Sequence, residues 1–167
     1  MPNFHRAAYA QLMTMTPEEL EERTETLEVL NSELASRLAR QSDSLAKIDT
    51  KAVFVIGFAV TAAQFLATHK HQPVLAALAF AAYAVALAAG ALTVRVADHE
   101  DLEPREMLET YARSPKAQAL VSLAASRVDI YEKNHKRHNR KALFWSVSLW
   151  SAAVGLLFST AALVLHT

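Results

Sequence analysis

The chain has 167 residues, with 17 Lys and Arg, 17 Asp and Glu, seven His, no Cys and a formal net charge of zero. The lack of Cys excludes a disulfide framework, a thiolate metal site and a Cys nucleophile, and the balanced charge lacks the basic excess of a nucleic-acid binder. The placement of the charges excludes an ordinary soluble globule, whose exposed faces all carry charge: the windows Ala52–Thr68, Pro73–Val94 and Ala142–Leu165 hold 17, 22 and 24 residues without one Asp, Glu, Lys or Arg, and 50 of those 63 are apolar.

The first 50 residues carry acids and no early apolar core, so no signal peptide is read there and insertion into a membrane falls to an internal segment. Thr16-Pro17-Glu18-Glu19 is a helix start, with Thr16 as cap, Pro17 in the first turn and Glu19 completing a capping box. Leu20, Leu27, Leu30, Leu34, Leu38, Leu45 and Ile48 then recur with an amphipathic, coiled-coil-like rhythm. No Pro or Gly intervenes before Gly57, so one helix is expected to run from Pro17 into the first apolar window.

A membrane-crossing helix needs about 20 apolar residues. Ala52–Thr68 reaches roughly 26 Å and borrows length from Ile48 and from the aliphatic stem of Lys51. The four residues His69-Lys70-His71-Gln72 permit only a tight hairpin into Pro73–Val94. Pro104 opens a short helix around Arg105–Ala112, and Ser114-Pro115 starts a long helix. Its face of Leu120, Ala124, Val128 and Tyr131 continues into Ala142–Leu165. The expected fold is therefore all-α, an integral membrane protein with three transmembrane helices. Two of them continue into long cytoplasmic stalk helices. The divisions are 1–51, an amphipathic N-terminal helix; 52–94, a transmembrane hairpin; 95–141, a charged stalk; and 142–167, a third span with a short outer tail.

Orientation follows from Lys and Arg. Six precede the first span, ten lie between the second and third, and only Lys70 sits in the hairpin loop. The positive-inside rule then places the N-terminus and residues 95–141 in the cytoplasm, with the hairpin loop and His166-Thr167 outside.

Each span carries small or weakly polar residues four apart: Gly57 and Thr61; Ala82, Ala86 and Gly90; Ser151, Gly155 and Ser159. Such residues let helix backbones approach closely, either within one protomer or between protomers of a homo-oligomer. The Leu stripes leave the same two alternatives. On the second, Gly155→Leu is expected to weaken assembly.

No phosphate loop, dinucleotide fingerprint, metalloprotease motif or Ser-centred elbow is present, and the chain is read as not an enzyme. Glu132, His135 and His138 stand three apart on one helical face, and two His with a carboxylate are a zinc-ligand set. They belong, however, to a basic juxtamembrane run, 133–141, of a kind that meets anionic lipid, and no metal is expected. Arg105, Arg113, Lys116 and Arg127, with Tyr111 and Tyr131 as stacking rings, form a candidate ligand-binding set for a small anion, because Arg fits phosphate through its planar fork. Glu103, Glu106, Glu109 and Asp129 are competing partners for those cations.

Asp49-Thr50-Lys51-Ala52 at the mouth of the first span, the short hairpin, Tyr111 and Tyr131 in the charged segment, and Asn134 and Lys141 leading back to the membrane together resemble the transmembrane effectors of Pycsar anti-phage systems and related small membrane effectors of nucleotide-signalling defence. The resemblance covers roughly residues 30–165 and carries over Asp49, Thr50 and Lys51 as a signature of the point where the helix meets the membrane. It implies a bacterial inner-membrane protein. It further implies that a cyclic nucleotide made on infection, a cyclic pyrimidine nucleotide in Pycsar, is the ligand that triggers membrane impairment. Read without the resemblance, Lys51 anchors the helix at the lipid boundary and Asp49 partly neutralises it. The alternative function is a passive anchor whose stalk helices recruit a cytosolic partner.

Overall fold

The computed structural model describes residues 14–95, 102 and 114–165. Among them the chain is all-helical: α1 (Pro17–Glu22), α2 (Thr24–Thr68), α3 (Pro73–Arg95) and α4 (Lys116–Val164). Three of these, α2, α3 and α4, are long and apolar enough to cross a membrane. The expected helix at Arg105–Ala112 and the tail His166-Thr167 lie outside the described residues.

The capping box at Thr16 is formed in both directions. The Glu19 amide donates to Thr16 Oγ1 at 3.3 Å, and the Thr16 amide donates to Glu19 Oε2 at 2.9 Å. The single helix expected from Pro17 is nevertheless broken once, at Arg23, whose amide reaches back three residues to the Leu20 carbonyl at 3.1 Å. Neither Pro nor Gly marks the spot, and nothing in the local sequence explains the break.

The chain divides into two units. The charged unit comprises Met1–Ser42 and His99–His135. Its core joins Leu20 and Leu27 to Ala117 and Val121. The pairs Glu28–Lys116, Asn31–Leu120 and Gln41–Tyr131 advance together along both sequences, so the segments of α2 and α4 here run parallel. The buried positions of α2 depart from the Leu stripe in one respect: Leu30 is exposed and Asn31 is buried in its stead. Leu27, Asn31, Leu34, Leu38 and Gln41 follow the three- and four-residue spacing of a coiled-coil seam, with Leu34 half-buried and polar rungs at Asn31 and Gln41. On α4, Ala117, Val121, Ala124 and Ile130 are buried, whereas Val128 and Tyr131 are only half-buried.

The apolar unit comprises Asp43–Asp98 and Lys136–Thr167. It thus takes in residues 43–51, 95–98 and 136–141, which sequence alone assigned to the stalks. Within it α3 runs antiparallel to α4, as the pairs Gln72–Ala162, Tyr83–Ser159 and Ala86–Ser148 run in opposite senses. The hairpin turn is closed by polar groups. Gln72 Oε1 accepts from the Leu75 amide at 2.6 Å, and the Gln72 amide donates to the Ala162 carbonyl at 3.0 Å.

The core of this unit is built from small residues. Ala59, Ala76, Ala79, Ala86, Ala152 and Ala162 are buried around Val55, Leu66 and Tyr83, while Phe54, Phe65, Trp150 and Leu157 point outward, Phe54 at 76% exposure. The small-residue positions divide accordingly. A Cβ on Gly90 would lie 2.7 Å from Ile56 Cγ1, and one on Gly155 would lie 2.6 Å from the Tyr83 ring, so both glycines serve close approach within the chain. Ala86 and Ser159 are buried beside them, and Ala82 and Ser151 are half-buried. Gly155 is therefore a tertiary contact, and assembly is not what Gly155→Leu would touch first. Gly57 differs: nothing lies within 4 Å of its Cβ position, and Thr61, one turn on, is exposed, its hydroxyl donating to the Gly57 carbonyl at 2.9 Å.

Candidate functional site at the charged end of the apolar unit

Asp49 and Lys141 form an ion pair in the apolar unit. Lys141 Nζ donates to Asp49 Oδ1 at 3.0 Å and to Oδ2 at 2.8 Å. The Lys141 side chain is 2% exposed and that of Asp49 31%. An ammonium removed from water is tolerated only when paired and hydrogen-bonded, and both carboxylate oxygens meet that need here. Lys51, which sequence reasoning paired with Asp49, does something else: its Nζ lies 5.4 Å from the centroid of the Trp145 ring, within cation–π range. Thr50 turns its hydroxyl to its own helix, donating to the Ala46 carbonyl at 3.0 Å. Ala52 is fully buried.

His138, Lys141 and Trp145 are spaced three and four apart and so share one face of α4. His138 Nδ1 and Trp145 Nε1 are buried with no hydrogen-bond partner among the described residues. One turn on either side of the ion pair therefore stands a polar atom shielded from water and unsatisfied.

The candidate ligand set fares differently. Arg105, Tyr111 and Arg113 lie outside the described residues. Lys116 is paired with Glu28, whose hydrogen bond raises the Lys116 pKa above its ordinary value. Arg127 Nη1 donates to the Asn31 carbonyl at 2.6 Å and to Asn31 Oδ1 at 3.1 Å. Tyr131 stacks beside His135, ring centroids 6.3 Å apart. Lys116 and Arg127 stand about three turns apart on α4, each held by α2, and the described members are not gathered into one pocket. Glu132 and His135 are exposed, and among the described residues no group of three His, Cys, Asp or Glu is placed to hold a metal ion.

Sequence reasoning missed Asn31. Its Nδ2 donates to the Leu27 carbonyl at 3.0 Å and the Leu120 carbonyl at 2.8 Å, while Oδ1 accepts from Arg127. A lone Asn one residue from a Leu in a heptad pattern was the available signal. Asn31→Ala is expected to cost about 1–3 kcal/mol, since it strips the partners from a buried polar layer; thermal unfolding followed by helical circular dichroism measures it. Glu33, on the exposed side, is clamped by Arg37 at 2.9 Å and Arg40 at 3.1 Å. The Arg37 hydrogen bond chiefly holds its carboxyl below the usual range. That clamp favours the fold above the ordinary carboxylate pKa and is lost as pH falls through the lowered one; fully in water, it contributes little.

No protein-family model, curated protein or solved structure matches the chain.

Proposed function

We propose that the chain is a bacterial inner-membrane effector of anti-phage defence, which assembles as a homo-oligomer and impairs the membrane on a cyclic-nucleotide signal. The observation that carries the membrane part is the inverted order of side-chain size in the apolar unit, with alanines inside and Phe54, Phe65, Trp150 and Leu157 outside. Water would drive those large side chains inward. Lipid imposes no such drive, and small residues then serve close helix packing. The Lys and Arg distribution supports a cytoplasmic N-terminus and an outer hairpin loop. Lys47 and Lys51, which line an open groove of about 410 Å³ with Asp43, Ala46 and Thr50, suit the phosphates of the inner leaflet.

The defence part rests on the resemblance of residues 30–165 to the Pycsar effectors. Asp49 and Lys141 are paired, and Ala52 and Asn134 are fully buried. Thr50 and Lys51 are exposed and Tyr131 is half-buried, so only part of the set is held in the interior. Expression of the chain with cyclic CMP or cyclic UMP should collapse the membrane potential, read with a voltage-sensitive dye. An unchanged potential at high expression under both nucleotides overturns the reading.

Assembly is assigned to the outward face of α2. Gly57 is open, Thr61 is exposed, and Gln64 presents an amide on the same side, where lipid offers it no partner. Gly57→Leu should reduce the particle mass in detergent to that of the monomer with the melting temperature unchanged. Retention of the full mass would remove this face from the interface. A second reading, the passive anchor that recruits a cytosolic partner, is favoured by Val29 and Leu30, which stand 70% and 41% exposed on the charged unit; a pull-down that enriches a soluble protein through that patch, with the potential unaffected, would select it.

A further inference from the structure

We infer that the Asp49–Lys141 pair is a latch poised to open at the charged end of the apolar unit. Three features of the pair and its surroundings lead there. First, the pair is an unusual way to fill a seam. Two apolar residues of similar volume hold a buried position as well as an ion pair or better, because desolvation of both charges offsets most of their attraction. The rest of the unit follows that logic, with Val55, Ala59, Leu66 and Ala152 in its core. Second, the pair stands between two buried polar atoms that have no hydrogen-bond partner among the described residues, His138 Nδ1 and Trp145 Nε1. The closed arrangement leaves both unsatisfied, and each would gain a hydrogen bond from water admitted between the helices. The ion pair thus holds the end shut against two groups whose hydration favours opening. Third, the exit is near: Asp49 is 31% exposed while Lys141 is 2% exposed, so the carboxylate is already at the water side and separation hydrates the ammonium behind it. Lys51, itself exposed, lies 5.4 Å from the centroid of the Trp145 ring.

The latch rests on the membrane-effector reading only for the consequence of opening; the opening itself is a property of these residues. Loss of one partner raises the open population by about a hundredfold or more, as expected when a buried pair is broken. An apolar pair in the same place removes the charge that needed a partner and keeps the end closed.

The chain has two Trp, so Trp150→Phe leaves Trp145 as the single emitter and makes its hydration visible. In that background, purified full-length protein in nanodiscs is compared as parent, Lys141→Met, and the double variant Asp49→Leu with Lys141→Met. Hydrogen exchange is followed in parallel. The latch predicts a red shift of Trp145 emission and faster exchange around residues 43–52 and 136–148 in Lys141→Met. It also predicts undiminished protection of α3, and return of both signals to the parent in the double variant. Unchanged emission and exchange in Lys141→Met overturns it. So does loss of protection throughout, α3 included, since that is the mark of a purely structural pair. Measurement of membrane potential in cells that express Lys141→Met separates the two proposals. Local opening with collapse of the potential supports both, whereas local opening with a potential that stays intact even under cyclic CMP and cyclic UMP supports the latch and overturns the effector reading.

Discussion

Gly155→Leu should destabilise the folded chain by about 1–3 kcal/mol, the usual cost of forcing extra carbons into a filled interior. The clash is with an aromatic ring that has nowhere to go. A Cβ at position 155 lies 2.6 Å from Tyr83 Cε1, and Tyr83 is 1% exposed. The ring is also tethered, with its hydroxyl 2.9 Å from Ser159 Oγ. To admit a leucine the ring must swing, and the Tyr83–Ser159 hydrogen bond goes with it. Otherwise α3 and α4 must separate, because Tyr83 already fills the space between them at this point. Thermal unfolding in detergent reads the effect directly. Tyr83→Ala added to Gly155→Leu should recover part of the loss by vacating the space, and a melting temperature untouched by Gly155→Leu would show that α3 and α4 do not meet here.

The second large effect concerns charge. Lys141→Ala should cost about 3–5 kcal/mol, because it strands a partly buried carboxylate and empties a buried stem. Asp49→Ala should cost a similar amount for the complementary reason, since Lys141 at 2% exposure then has no counter-ion. The two losses should not add: once one partner is gone, removal of the other costs little more, and the double-mutant cycle should give a coupling energy of about 2 kcal/mol or larger. Additive losses would mean that the two side chains act independently. Lys51→Ala is the internal comparison. Its cation–π contact with Trp145 involves an exposed lysine and is worth about 0.5–1 kcal/mol.

The helical nature of the chain and its three apolar segments were legible because they depend on one-dimensional patterns. Charge-free windows, the Thr16–Glu19 box and Pro at helix starts act locally. What was not legible depends on rotation of one helix against another. Leu30 and Asn31 are adjacent, and hydropathy chose the wrong one of the two for the seam. Asp49 and Lys51 sit two apart on one helix and so point to different sides; adjacency in sequence suggested that they neutralise each other, yet one turns inward to Lys141 and the other outward to Trp145. Of the three glycines, Gly90 and Gly155 contact the chain itself and Gly57 does not, a distinction that small-residue spacing cannot make. The cationic ligand set was chosen by residue type. Within the described residues, Lys116 and Arg127 each have a nearer partner on α2, Glu28 and Asn31.

The alanine interior of the apolar unit has a thermal consequence. The heat-capacity increment of unfolding comes from apolar surface transferred to water. Helices that meet through alanines bury little such surface, and under the membrane reading proposed above, helices that part in lipid would exchange one hydrocarbon neighbour for another. The balance between closed and separated states is then nearly flat with temperature. Cold would not loosen this unit as it loosens a core of leucines, and modest heating would not tighten it. Whatever moves these helices has to act through their few polar contacts.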